Sequence, residues 1–166
     1  MPNTRTVLFA GLLVSGLAAS ASPVDAQLRR PSAELTPAVQ PQAVHAGETV
    51  SGELRVELPD GIHVQSDNPR EDYLIPTRLT FALPEGVTVE EITYPPASDW
   101  FLEGQEEPLA VFETEFTVRW RLALGPEVPA GRMVVPASFQ YQSCDDRLCY
   151  PPVTAPVEWR LSVERP

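Results

Sequence analysis

Lysine is absent from this chain of 166 residues, so its 12 basic residues are all arginine. We read that as a bias of genomic composition, and no function follows from it. Basic charge is scarce altogether, with 12 Lys and Arg against 23 Asp and Glu and a formal net charge of -11. A chain this acidic repels phosphate backbones and anionic lipid, which argues against nucleic acid or a membrane surface as a partner. Long apolar runs are missing too. The one extended run, Val7 to Ala21, falls short of the ~20 residues that a membrane-spanning helix needs, so no stable membrane insertion is expected. It follows Arg5 and precedes the small-residue pattern Val24-Asp25-Ala26, and reads as a secretory signal peptide over residues 1–26. No cysteine stands directly after that run, so a lipid anchor on an N-terminal cysteine is not expected. The mature protein is expected to be soluble and outside the cytoplasm.

Metal ligands are few. A zinc site normally takes four ligands, and beside two cysteines only His45 and His63 are available, neither at a recognisable ligand spacing. Cu(I) on two thiols would want support from a methionine cluster, which is also lacking. We expect no metal and no other cofactor. His63, just after Asp60-Gly61, reads as a surface or turn histidine. No Ser-His-Asp set, phosphate loop or paired-carboxylate site is recognisable.

Room for helices is missing as well, because 19 prolines interrupt the chain. Beyond the signal segment, the two longest proline-free windows both alternate with period two, the mark of half-buried strands. In one, Val50, Gly52, Leu54, Val56 and Leu58 share a face; in the other, Phe116, Val118, Trp120, Leu122 and Leu124 do. The pattern returns in Leu79, Phe81 and Leu83, in Val135 to Tyr141, and in Val157 to Val163. Pro59-Asp60-Gly61, Pro84-Glu85-Gly86 and Pro129-Ala130-Gly131 are turn signals between strands. Val87 to Tyr94 is another strand whose apolar phase slips between Val89 and Ile92, which predicts a bulge or an edge position. A first strand falls near Gln42 to His45. The expectation is all-β: about seven or eight strands in one antiparallel β-sandwich over residues 42–166, preceded by a flexible leader over 27–41. Gln65 to Pro76 and Pro95 to Pro108 are expected as loops.

What the chain does have is a compact cysteine motif, Tyr141-Gln142-Ser143-Cys144-Asp145-Asp146-Arg147-Leu148-Cys149-Tyr150-Pro151-Pro152. A disulfide usually places its Cα atoms roughly 4.4–6.8 Å apart, so with four intervening residues the backbone must reverse in a tight turn or short hairpin. An exported pair meets an oxidising compartment. Closing so short a loop contributes only about 2 kcal/mol on the chain-entropy view, little for a sandwich with three Trp and six Phe. Spacing and composition leave both a structural and a redox-active bond open. Arg147 favours a thiolate, whereas Asp145 and Asp146 oppose it or simply solvate the turn. Tyr150-Pro151-Pro152 stiffens the exit, with the Tyr150 ring available to pack beside the sulfurs.

The run Tyr-Gln-x-Cys-x4-Cys-Tyr-Pro-Pro resembles the active-site hairpin of the N-terminal periplasmic domain of the thiol:disulfide interchange protein DsbD. Gly61 to Pro69 and Tyr73 to Thr77 resemble further segments of that family, and the likeness extends from about Val50 to Val163. It implies an immunoglobulin-like sandwich in the periplasm whose pair cycles between dithiol and disulfide. It implies that Cys149 forms the mixed disulfide with partners while Cys144 resolves it, and that an aromatic cap loop shields the pair. The cap would lie in Pro95 to Pro108, with Trp100 and Phe101 as its aromatics. Family partners are thioredoxin-like proteins, disulfide isomerases and cytochrome c maturation proteins, fed from a membrane-embedded donor. The sequence carries no polytopic region and no thioredoxin-like domain, so the donor is expected to be a separate protein. The spacing of four residues between the cysteines departs from the five of some members. Two acids beside one base predict a sluggish free thiol that reacts mainly inside a partner complex.

Overall fold

The structure is a computed structural model that describes residues 31–102 and 106–165. The expected signal peptide and residues 27–30 lie outside the described residues. Within them the alternating runs become strands: β1 (Glu34–Gln40), β2 (Ala43–His45), β3 (Thr49–Glu57), β4 (His63–Gln65), β5 (Arg78–Phe81) and β6 (Val87–Thr93). There follow β7 (Ser98–Trp100), β8 (Leu109–Glu113), β9 (Glu115–Leu124), β10 (Gly131–Tyr141), β11 (Ser143–Cys144) and β12 (Val153–Glu164). No helix occurs among the described residues.

Two four-stranded sheets make a sandwich, one in the order β1-β3-β9-β6 and the other in the order β2-β12-β10-β5. All pairings are antiparallel except the short contact of β2 with β12. The faces meet where the period-two pattern puts its large side chains. Trp120 of β9 packs edge-on to Trp159 of β12 with ring centroids 5.1 Å apart, and Phe81 of β5 lies 5.5 Å from each. Leu54, Val56, Val118, Leu122, Val135 and Phe139 are fully buried around them. Each such side chain contributes about 1.5–3 kcal/mol by leaving water. The Trp159 indole N–H donates to the carbonyl of Glu53, 3.0 Å away, and so ties one sheet to the other.

Two of the three turn signals form hydrogen-bonded turns; in the third connection the bonded turn, Val128 N–H to Gly125 O, lies just ahead of Pro129-Ala130-Gly131. Ile62 N–H donates to Pro59 O and Val87 N–H to Pro84 O, with Gly61 and Gly86 at φ of 73° and 80°. Glycine supplies that left-handed position without steric cost. The phase slip in β6 is a register shift between Val89 and Glu91 on an edge strand. The expected leader is corrected: Glu34–Gln40 pairs with β3 along its whole length, from Glu34 opposite Glu57 to Gln40 opposite Ser51. Pro37 had argued against a strand, but β1 is an edge, where a missing donor can face away from the ladder.

A third small sheet, β11-β4-β8-β7, sits at one end of the sandwich and grows out of it. β8 runs into β9 with only Thr114 between them, at φ 50°. A β-branched residue rarely takes that conformation, and here it marks the point where one strand passes from the small sheet into a sandwich sheet. On the other side, β10 runs into β11 across Gln142 alone. The small sheet therefore takes one strand from each layer, and Cys144 ends the second of them.

Candidate functional site

The cysteine hairpin is the tip of the long β10–β12 ladder. Tyr150 N–H donates to Ser143 O (2.8 Å) and Asp145 N–H to Leu148 O (3.0 Å). Cys144 and Cys149 thus face each other as the non-hydrogen-bonded pair between two bonded ones, the position where antiparallel backbones approach most closely. Their Cα atoms are 4.0 Å apart and the sulfurs are joined. The reversal that the spacing demanded is made by Asp145 to Leu148.

Asp145 builds that reversal. One carboxylate oxygen accepts from the backbone N–H groups of Arg147 (2.8 Å) and Leu148 (2.9 Å), and the other accepts from the Tyr150 hydroxyl (2.9 Å). The backbone donors at Leu148 and Arg147, with the Tyr150 hydroxyl, hold its carboxyl below the usual range, and the same contact raises the Tyr150 phenol. Asp145 is therefore an ionised turn anchor. Asp146 and Arg147 are exposed and pair loosely with each other at 3.9 Å. Tyr150 turns to Asp145 and is not among the residues lining the cleft at the sulfurs. Pro151 is exposed at the exit. Tyr141 is buried against Phe139, 5.7 Å away, and its hydroxyl accepts from Ala33 N–H; it belongs to the core beneath the hairpin.

The two sulfurs have unequal surroundings. Cys144 is 1% exposed, whereas Cys149 is exposed. A cleft of about 200 Å³ opens beside them, walled by Tyr73, Leu74, Leu102, Leu109 and Leu148, with His63 and Arg147 also lining it. Tyr73 is 71% and Leu148 45% exposed, so an apolar collar surrounds the accessible sulfur.

The inner wall comes from β4, and here the structure corrects the reading of His63 as a surface or turn histidine. His63 is completely buried, stands opposite Cys144 in the ladder, and has no partner among the described residues for either ring nitrogen. Desolvation lowers its pKa, against the pull of Glu113 and Asp145, which favours the neutral imidazole. Gln65, two residues on, is also completely buried, and its Nε2 lies 3.6 Å from Cys144 Sγ. Sequence reasoning missed both. A three-residue strand is too short to show a period, and only the cross-strand register reveals what it faces.

The segment expected as a cap loop contains strand β7, paired with β8 so that Trp100 stands opposite Leu109. Arg70 clamps this segment at both ends, donating to Asp99 (2.5 Å) and to Pro108 O (2.6 Å). The Trp100 ring lies on the His63 ring, centroids 4.3 Å apart and 31° from coplanar, while Phe101 is 70% exposed. The two aromatics thus have different surroundings: Trp100 covers the histidine that faces Cys144, and Phe101 points to solvent. In the reduced protein, Trp100→Ala is expected to speed oxidation of the thiol pair by a small disulfide several-fold, and Phe101→Ala to leave the rate unchanged. Stopped-flow measurement of thiol loss checks this, and equal rates in wild type and Trp100→Ala would remove Trp100 as a shield.

Fold and site together define a β-sandwich that presents a disulfide hairpin, one cysteine buried and one exposed. A family model described as "Thiol:disulfide interchange protein DsbD, N-terminal" matches residues 32–159. The chain belongs to that family of DsbD N-terminal domains, and at family level its chemistry is thiol–disulfide exchange. Among solved structures, the N-terminal periplasmic domain of ScsB from Proteus mirabilis is similar, at 13% identity and a TM-score of 0.52, covering 78% of this chain and 45% of that one. The reduced DsbD N-terminal domain of Neisseria meningitidis aligns at 16% identity and a TM-score of 0.45, over 77% of this chain and 84% of that one. The major pilin subunit BcpA of Bacillus cereus aligns at 11% identity and a TM-score of 0.40, over 80% and 40%. No curated protein matches the chain. The fold is immunoglobulin-like. No helix among the described residues is long and apolar enough to cross a membrane.

Proposed function

We propose that this protein is a periplasmic thiol–disulfide exchange protein, passing reducing equivalents from a membrane or thioredoxin-like donor to periplasmic disulfide proteins. The observation that carries the reading is the asymmetry of the pair. Exchange proceeds by in-line attack of a thiolate on one sulfur, with the other leaving, and depends on access. Cys149 is exposed beside an apolar collar, whereas Cys144 is 1% exposed behind the β4 wall. A partner reaches the exposed Cys149 more readily than the buried Cys144, which supports Cys149 as the sulfur of the mixed disulfide and Cys144 as the resolving one. A bond serving only as a staple has no use for an open sulfur ringed by Tyr73 and Leu148.

Reactivity is supplied by the partner complex. Among the described residues no cation is paired with Cys144: Arg147 is solvated beside Asp146, and Asp145 carries its negative charge into the hairpin. Trp100 and the His63 beneath it act as the shield that keeps the resting thiols from small oxidants. Disulfide isomerases and cytochrome c maturation proteins are the acceptors that the family suggests.

The test is the reduction potential of the pair, by equilibration with glutathione or dithiothreitol. A value well above about -300 mV is expected; one below it marks a structural bond resistant to the thiol pool and overturns the reading.

A further inference from the structure

We propose that Gln65 is a catalytic residue of the exchange, donating through its Nε2 the hydrogen bond that receives the negative charge left on Cys144 when the disulfide opens. The inference rests on the exchange reading above and names the group that makes a buried leaving sulfur workable. When a partner thiolate attacks Cys149 Sγ, a bond forms between the partner's sulfur and Cys149 while the Cys149–Cys144 bond breaks. The electron pair of the broken bond stays on Cys144 Sγ. The partner's sulfur is oxidised to the disulfide level, Cys144 is reduced, and the charge has moved from a hydrated sulfur to one that is 1% exposed.

A buried anion without a donor is costly, and exchange is faster the better the departing thiolate is stabilised. Several neighbours of Cys144 offer little. Neither His63 ring nitrogen makes a hydrogen bond among the described residues, the sulfur included, and the ring carries Trp100 on its face. Asp145 is ionised and Arg147 lies out in solvent against Asp146. Glu113, opposite His63 in the ladder, is acidic. The donor set against the sulfur is the Gln65 amide, at 3.6 Å.

Two features separate this arrangement from a packing role. Gln65 is completely buried, yet its Oε1 has no hydrogen-bond partner among the described residues. Buried side-chain amides are normally satisfied at both ends, so the site keeps an unpaired oxygen to hold an amide beside a sulfur. Its backbone is also fixed, with Val111 opposite in β8 and its carbonyl accepting from the Thr77 hydroxyl. A disulfide sulfur is a weak acceptor and a thiolate a strong one, so the contact tightens as the bond opens. An interaction that is stronger after bond breaking than before is one that accelerates the step. In the delivering direction the same hydrogen bond raises the share of Cys144 present as thiolate, ready to attack the Cys149 mixed disulfide.

The experiment compares wild type, Gln65→Met, which keeps length without a donor, and Gln65→Glu, which keeps shape and replaces the donor by an acceptor. Opening of the disulfide by dithiothreitol is followed under pseudo-first-order conditions, and ionisation of the reduced thiols by ultraviolet absorbance against pH. We expect opening to slow about tenfold in Gln65→Met, the scale of one hydrogen bond to a charged atom, and further in Gln65→Glu, with the buried thiol ionising at higher pH in both. A packing role would shift only the denaturation midpoint. Folded variants that open and ionise like wild type overturn the assignment of Gln65 while leaving exchange intact. A wild-type bond that dithiothreitol does not open overturns the exchange reading itself. Should neither variant fold, the wild-type protein decides: with Cys149 blocked by iodoacetamide, the Gln65 side-chain amide proton moves downfield as Cys144 ionises, and a stationary resonance rejects the proposal.

Discussion

Replacing Cys144 by serine is expected to make the protein accumulate covalent complexes through Cys149. Cys149 is exposed in an apolar collar and can exchange with a partner's disulfide without Cys144. In the wild type, Cys144 faces it across the ladder with Cα atoms 4.0 Å apart, so the second thiol acts at a very high effective concentration and mixed disulfides are short-lived. Serine keeps the shape but cannot attack sulfur. Non-reducing electrophoresis of periplasmic extract should show bands that collapse on reduction, stronger by an order of magnitude or more than with wild type. The reciprocal Cys149→Ser variant should trap almost nothing, because its remaining sulfur is 1% exposed. Stronger trapping by Cys149→Ser would reverse the assignment of roles, equal trapping by both variants would abolish it, and trapping by neither would remove exchange altogether.

The largest effect on stability is expected far from the sulfurs, at Gly52. This residue lies on β3 opposite Trp120, and a Cβ there would stand 2.1 Å from Trp120 Cζ2 and 2.7 Å from the carbonyl of Ala38. Neither neighbour can yield. The indole is held by Trp159 and Phe81 on the facing sheet, and the carbonyl belongs to the β1 ladder. Gly52→Ala should therefore cost about 3 kcal/mol, the upper end of the usual range for overpacking, and lower the melting temperature by ~10 °C for a domain of this size. Chemical denaturation monitored by tryptophan fluorescence measures it. A loss under about 1 kcal/mol would mean that the Trp120 ring has another place to go. Protein that remains folded should keep its exchange rate, since Gly52 lies in a sandwich sheet and the sulfurs in the small sheet beyond it.

The sandwich was readable because alternation is a direct record of burial: Val50 to Val56 and Phe116 to Leu124 became β3 and β9. Three kinds of element escaped that record. In β1, Pro37 masks a strand that needs its ladder on one side only. In β8, Leu109-Ala110-Val111-Phe112 is apolar throughout because all four residues are buried, so no alternation survives. In β4 and β7, three residues are too few for any period. The cysteine hairpin was readable because covalent geometry leaves few paths between two sulfurs separated by four residues. Its electrostatics were not. Counting acids set Asp145 beside Asp146 as equal opponents of a thiolate, whereas both oxygens of Asp145 are spent on the turn and on Tyr150. Hydrogen bonds of that kind depend on where the backbone points, which composition does not encode. The clearest hint of His63 and Gln65 was the likeness of Gly61 to Pro69 to the family.

The hairpin closes a ladder that runs in register from Gly131 opposite Val163 to Tyr141 opposite Val153. Both arms leading to the sulfurs are therefore clamped before the disulfide is counted, and Gln142 adds a cross-brace by donating to Tyr150 O (3.2 Å). Cutting the bond is expected to free only a short tip and to leave the arms in place, with the two thiols still facing each other. In the exchange proposed above, the oxidised and reduced forms would then share one backbone shape, and the direction of exchange would follow from the reduction potential of the partner that docks.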